Sequence, residues 1–147
     1  MRQKMTKGFC VAVVAVLLVQ AKAKADHPQD ILIIVNKSAA EETLSISATR
    51  AIFLKKRIRL QDGTKAAVIN DKPGTTLRKE FQEKVLDMTA NKENIYWQEQ
   101  KIKKGISPPA ELRNRLKAVY KIKGAISYLY RKDFKSGVTK VLLVLPP

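Results

Sequence analysis

Apolar and polar residues fall in short blocks along this chain, and their spacing assigns most of its elements. Ile31-Leu32-Ile33-Ile34-Val35 runs without a polar interruption to Asn36, the pattern of a strand buried on both faces. Ser45 or Ser47 supplies the cap of a helix through Lys55, with Ile46, Ala48, Ile52 and Phe53 on its apolar side. Asp62-Gly63 marks a turn and Ala66–Ile69 a second short strand. Gly74-Thr75-Thr76 then opens a helix whose Leu77, Phe81 and Val85 recur every four residues, one buried stripe. A third helix, about Lys92–Lys104, carries Ile95, Tyr96 and Trp97 and stops at Gly105, with Trp97 expected against the sheet. Pro108-Pro109 pre-sets a fourth helix with Leu112, Leu116, Val119 and Tyr120 on its inner face, and Gly124 ends it. Ala125–Tyr130 and Val138–Leu145 are the last predicted strands. Strands alternate with helices, which predicts an α/β fold with a mostly parallel sheet flanked by helices.

The start of the chain reads differently. Lys4 and Lys7 precede an uninterrupted apolar run of 11 residues, Phe9–Val19, and Ala23-Lys24-Ala25 places small residues at the spacing of a cleavage site before Asp26. A spanning helix needs about 20 apolar residues, so this run is too short for a membrane anchor. The expectation is a signal peptide over 1–25, cleaved after Ala25, and a single periplasmic domain over 26–147 with no membrane span. No internal repeat or long linker divides that domain.

Charge and cysteine content narrow the chemistry. The 147 residues hold 29 Lys+Arg against 13 Asp+Glu, one His and one Cys. Residues 1–25 contribute five of the bases and no acid, leaving 24 bases and 13 acids, a formal +11. Cys10 lies in the leader, so the rest of the chain has no disulfide, thiol nucleophile or zinc–thiolate site. His27 sits almost at the start of residues 26–147, a poor place for a rigid catalytic dyad. Glu80, Glu83 and Asp87 stand at helical spacings among Arg78, Lys79 and Lys84, which predicts pairing within the helix rather than acid–base or metal chemistry. The basic clusters Lys55-Lys56-Arg57, Lys101 to Lys104 and Arg113 to Lys123 come with no nucleic-acid module or stacking platform, and solvated helix faces account for them. No catalytic, metal or cofactor-binding residue is predicted, and the chain reads as a binder rather than an enzyme.

The most informative segment is Asn70-Asp71-Lys72-Pro73-Gly74-Thr75-Thr76-Leu77-Arg78: strand end, short loop, helix start with hydroxyls. The first N–H groups of a helix lack internal partners and sit at its positive end. An oxyanion there would receive those N–H groups and the Thr75 and Thr76 hydroxyls, with Gly74 allowing close approach and Lys72 or Arg78 adding charge. The plainer reading is a turn and a cap.

Several strings resemble the phosphate-binding proteins of bacterial ABC transporters. Leu44-Ser45 leading into Arg50-Ala51-Ile52-Phe53-Leu54 is similar to their "IF-L/S-G-K" helix. Asp62-Gly63, Arg78-x-x-Phe81, Tyr96-Trp97, Lys104-Gly105 and Pro108-Pro109 follow in the family's order, and Gly124-Ala125-Ile126-Ser127-Tyr128 is similar to its "GAIGY". The resemblance covers about residues 30–145. It implies a single lobe of the type 2 periplasmic-binding-protein fold, where full receptors have two. It also implies a phosphate or similar oxyanion at Asn70, Lys72, Gly74, Thr75, Thr76 and Arg78. The family's Arg-x-x-x-Ser-Gly-Thr loop is incomplete here, with Pro73 at the Ser position and Ile69 or Asn70 at the Arg position. The sequence is compatible with two functions. One is an exported phosphate-like solute binder tied to a membrane permease. The other is a non-catalytic docking protein of the cell envelope that keeps the fold without the ligand.

Overall fold

The computed structural model describes residues 26–147; the expected signal peptide lies outside the described residues. Its elements in order are β1 (Ile31–Asn36), α1 (Ile46–Phe53), β2 (Ala67–Asn70), α2 (Thr76–Phe81), α3 (Ala90–Lys104), β3 (Ala110–Glu111), α4 (Arg115–Lys121), β4 (Ala125–Tyr130) and β5 (Thr139–Leu145). α2 continues into a π-helical turn, Gln82–Leu86, which keeps Val85 buried. The five strands form one sheet in the order β3-β2-β4-β1-β5.

β1 is fully buried along its length, and its alternation divides the core. Ile31, Ile33 and Val35 face a large cluster with Ile52, Phe53, Phe81, Val85 and Trp97, whereas Leu32 and Ile34 face a smaller one with Ile69, Val119 and Leu129. Within the larger cluster Phe81 stacks on Tyr128 with ring centroids 3.8 Å apart and planes 1° from parallel, and Phe53 tilts against Phe81 at 4.7 Å. The tilted Phe53–Phe81 pair is of the kind that adds about 0.5–1.5 kcal/mol beyond its buried area.

The α/β architecture agrees with the sequence reading, but the strand directions differ. β2 runs parallel to β3 and β4, while β1 is antiparallel to both β4 and β5, so the sheet is mixed. A strand buried on both faces has the same residue pattern in either direction, and β1's neighbours come from the far end of the chain. The fourth helix also starts later than predicted. Pro108-Pro109 leads into the short strand β3, which pairs Ala110 and Glu111 with Ile69 and Asn70, and Asn114 caps α4 only afterwards. Residues before proline avoid the helical region, which suits this extended entry. As a result Leu112 and Tyr120, expected inside, are exposed, and Val119 is the buried residue of α4.

Gly124 joins β4 to β2 through its carbonyl, which accepts from the Ala67 N–H at 2.9 Å. Its φ is +79°, and a Cβ there would lie 2.4 Å from the Lys65 carbonyl oxygen. Only glycine fits.

Candidate functional site

β2 and β4 are parallel, so their carboxyl ends meet at one edge of the sheet, where α/β domains commonly place ligands. The chain leaves β2 at Asn70, turns through Asp71–Gly74 and enters α2 at its cap, Thr75. The Thr75 hydroxyl accepts from the Arg78 N–H at 3.1 Å and donates to Asp71 Oδ2 at 2.7 Å. Asp71 Oδ1 accepts from the Lys72 N–H at 2.8 Å and from the Arg115 guanidinium. The Asp71 N–H in turn donates to the Tyr128 phenol oxygen at 3.2 Å. A carboxylate of the protein itself thus sits at the mouth of α2, in contact with a capping hydroxyl, an amide and a guanidinium. Those are the partners an incoming oxyanion would use. Arg115 is held from behind by its Nε bond to the Tyr128 carbonyl at 3.1 Å.

Arg78 points elsewhere. Its guanidinium donates to Glu93 Oε1 at 2.6 Å and to the Tyr128 hydroxyl at 3.2 Å, with both side chains of the ion pair almost wholly buried. Glu93 also accepts from the Gln82 amide at 2.6 Å and the Trp97 indole N–H at 3.2 Å. Four groups from α2, its π-helical extension and α3 thereby lock one another. Burial raises the Tyr128 pKa, against the Arg78 charge and hydrogen bond, which lower it. Glu80, Glu83 and Asp87 make no ion pair among the described residues; Arg78, the cation expected beside them, is drawn to Glu93 because that pairing is made in the core.

Of the residues predicted for an oxyanion, Thr75 caps α2, and its hydroxyl is bonded to Asp71. Lys72, Gly74 and Thr76 are exposed. Asn70, Gly74 and Arg78 share the wall of a neighbouring cleft of about 410 Å3 with Gln82, Glu93 and Trp97; Asn70 Oδ1 is buried and has no hydrogen-bond partner among the described residues. Asp71, Glu93, Arg115 and Tyr128 were not singled out from sequence. Glu93 and Trp97, spaced by four on one helix, held a local signal of contact; the Asp71–Arg115 pair spans 44 residues and held none.

Among the described residues, no three or more His, Cys, Asp or Glu side chains gather as a metal site, and no helix is long and apolar enough to cross a membrane. No protein-family model matches the chain, and a search of curated proteins finds no match. Solved structures do match. A Clostridium perfringens protein assigned as a phosphate ABC transporter substrate-binding protein, with bound phosphate, superposes with a TM-score of 0.58 at 16% identity, over 76% of this chain and 43% of its own. An ABC-type phosphate transport receptor from Vibrio cholerae gives a TM-score of 0.59 at 11% identity, over 76% of this chain and 44% of its own. The fold is α/β, a five-stranded mixed sheet flanked by helices, and it matches about half, one lobe, of a phosphate-binding protein chain. The chain spans less than half the length of each of these two structures.

Proposed function

We propose that this protein is an exported, non-catalytic lobe of the cell envelope that acts by docking to a partner protein rather than by enclosing a free oxyanion. The observation that carries this reading is the Asp71 carboxylate at the mouth of α2, with Thr75, the Lys72 amide and Arg115 as its partners. A second anion at that point would meet like charge and find those partners occupied. Of the two cations expected beside an anion, Lys72 and Arg78, the second is neutralised by Glu93. Export rests on the expected leader, and the periplasm suits residues 26–147, which have no cysteine.

A second reading, phosphate or similar oxyanion binding linked to uptake or sensing, is supported by the lobe it resembles, whose Clostridium relative was solved with phosphate. With one lobe, a bound anion would stay partly in water and its charged contacts would be weak. Calorimetric titration separates the two. Docking predicts no saturable heat up to about 10 mM phosphate, corresponding to less than ~3 kcal/mol of binding free energy. Saturable heat that Thr75→Val removes overturns the docking reading. Arg78→Ala is unsuitable for this test because it strips Glu93 of its buried partner.

A further inference from the structure

A second groove, of about 740 Å3, runs along the outer side of β2. Ala67 and Val68 form part of its floor, and Ile58, Leu112 and Ile122 stand in its walls with 55%, 40% and 45% of their surface exposed. The turn before β2 pairs at Arg59 and Lys65, and β3 pairs only from Ile69 onward. Between them Ala67 and Val68 have β4 as their one strand neighbour among the described residues, leaving a short gap in the sheet edge on the groove floor. The Ala66 N–H donates to the Ile58 carbonyl at 3.0 Å on one side and β3 closes the other. An extended segment could therefore pair over Ala67 and Val68 at most, and the groove's side chains would supply its other contacts.

The charge lining is one-sided. Lys55, Arg57 and Lys65 line the groove and no carboxylate does. Arg57 is engaged by Glu41, with its Nη2 3.0 Å from both carboxylate oxygens. Lys55 and Lys65 have no carboxylate partner among the described residues; the Lys55 ammonium donates to the Ser107 carbonyl at 2.8 Å. Burial, and after it the nearby Lys65 charge, lowers the Lys55 pKa, and a carboxylate arriving here would oppose both effects.

We propose that this groove docks an extended, acidic and aliphatic segment of a partner protein. Its aliphatic side chains would rest on Ile58, Leu112 and Ile122, and its carboxylates would meet Lys55 and Lys65. The inference depends on the docking reading above and gives it a surface and a partner chemistry. The concave floor favours a peptide over an anionic bilayer, which would touch the rim and leave the floor unfilled.

Fluorescence anisotropy of the full chain tests it, using a dye-labelled peptide of about eight residues that alternates Asp with Val and advances ~3.3 Å per residue when extended. The expected result is saturable binding that Ile58→Ser with Leu112→Ser weakens at least about tenfold, as does Lys65→Glu. A peptide with Lys in place of Asp should prefer the Lys65→Glu protein, and one with Ser in place of Val should bind no variant tightly. Thermal midpoints confirm folding, since Ile58, Leu112 and Lys65 are exposed. The proposal is overturned if the Ser peptide binds as well as the Val peptide, which would mean general attraction to a basic protein. It also falls if the groove variants bind unchanged, or if they lose affinity only for phosphatidylglycerol vesicles. A silent phosphate titration together with no peptide binding removes this groove alone, whereas saturable phosphate binding removes the docking reading itself.

Discussion

If Asp71 supplies internally the negative charge that the mouth of α2 attracts, then Asp71→Ala should create both a defect and a vacancy for an external anion. The side chains of Asp71 and Arg115 are only 12% and 13% exposed, so the substitution leaves a mostly buried guanidinium without its counter-charge. Removing one partner of a buried pair costs about 3–5 kcal/mol. Arg115 keeps its bond to the Tyr128 carbonyl and its place 5.8 Å from the Tyr128 ring, which puts the cost near 2–3 kcal/mol. For a domain of this size each kcal/mol moves the melting midpoint by roughly 3–5 °C, so a fall of about 6–15 °C is expected. Phosphate should then partly restore what the carboxylate supplied. A site with a Kd of about 1 mM gains ~2 kcal/mol at about 30 mM ligand, or roughly 6–10 °C. The assay is a thermal melt of both proteins in phosphate and in chloride at matched ionic strength, because kosmotropic anions stabilise folded proteins generally. The diagnostic quantity is the extra gain of the variant over the parent. Equal gains in both, or a larger gain in the parent, would refute the account of the site.

Glu93→Ala should be the more damaging change, about 3–5 kcal/mol, since it strands Arg78, Gln82 and the Trp97 indole N–H together. The single tryptophan makes urea unfolding followed by fluorescence a local reporter, and Arg78→Met with Glu93→Leu should recover most of the loss. Gly124→Ala should cost at least about 3 kcal/mol, from a left-handed backbone plus collision with the Lys65 carbonyl. Gly74→Ala, at φ +81° but with open space around it, should cost only about 1–2 kcal/mol in the same denaturation assay. Asp30 has a depressed pKa, chiefly because it accepts the His27 N–H at 3.0 Å, with Arg131 adding a second bond. Its stabilising effect is full above the ordinary value of 3.8 and fades as pH falls through the lower folded value. Asp30→Asn should therefore lower the urea midpoint at neutral pH and flatten its decline in acid; an unchanged acid slope would count against the assignment.

Much of the architecture is legible from local pattern. β4 occupies the predicted residues, β1 adds only Asn36 to the predicted run, and α3 stops where Gly105 follows its last turn. These features depend on neighbours a few residues apart, whose burial and capping leave a mark in composition. Leu112 was expected in a helix beginning at the prolines but lies before the Asn114 cap, and Tyr120 stands one position, about 100°, round α4 from the buried Val119. The site was harder to read. Thr75 is recognisable as a cap from its position alone, but its second bond, to Asp71, depends on the path of the loop.

The sequence by itself determined most of the strands and helices and most of the side chains that go inside, because spacing, caps and residue type act locally. Tertiary structure alone decided that β1 runs against its neighbours and that Arg78 belongs to Glu93. It also decided that Arg115, 44 residues from Asp71, arrives to fix a carboxylate where an anion was expected. Ion pairs of that kind form only when the sheet brings distant ends of strands together. Their cost of burial is met by geometry that no window of sequence contains.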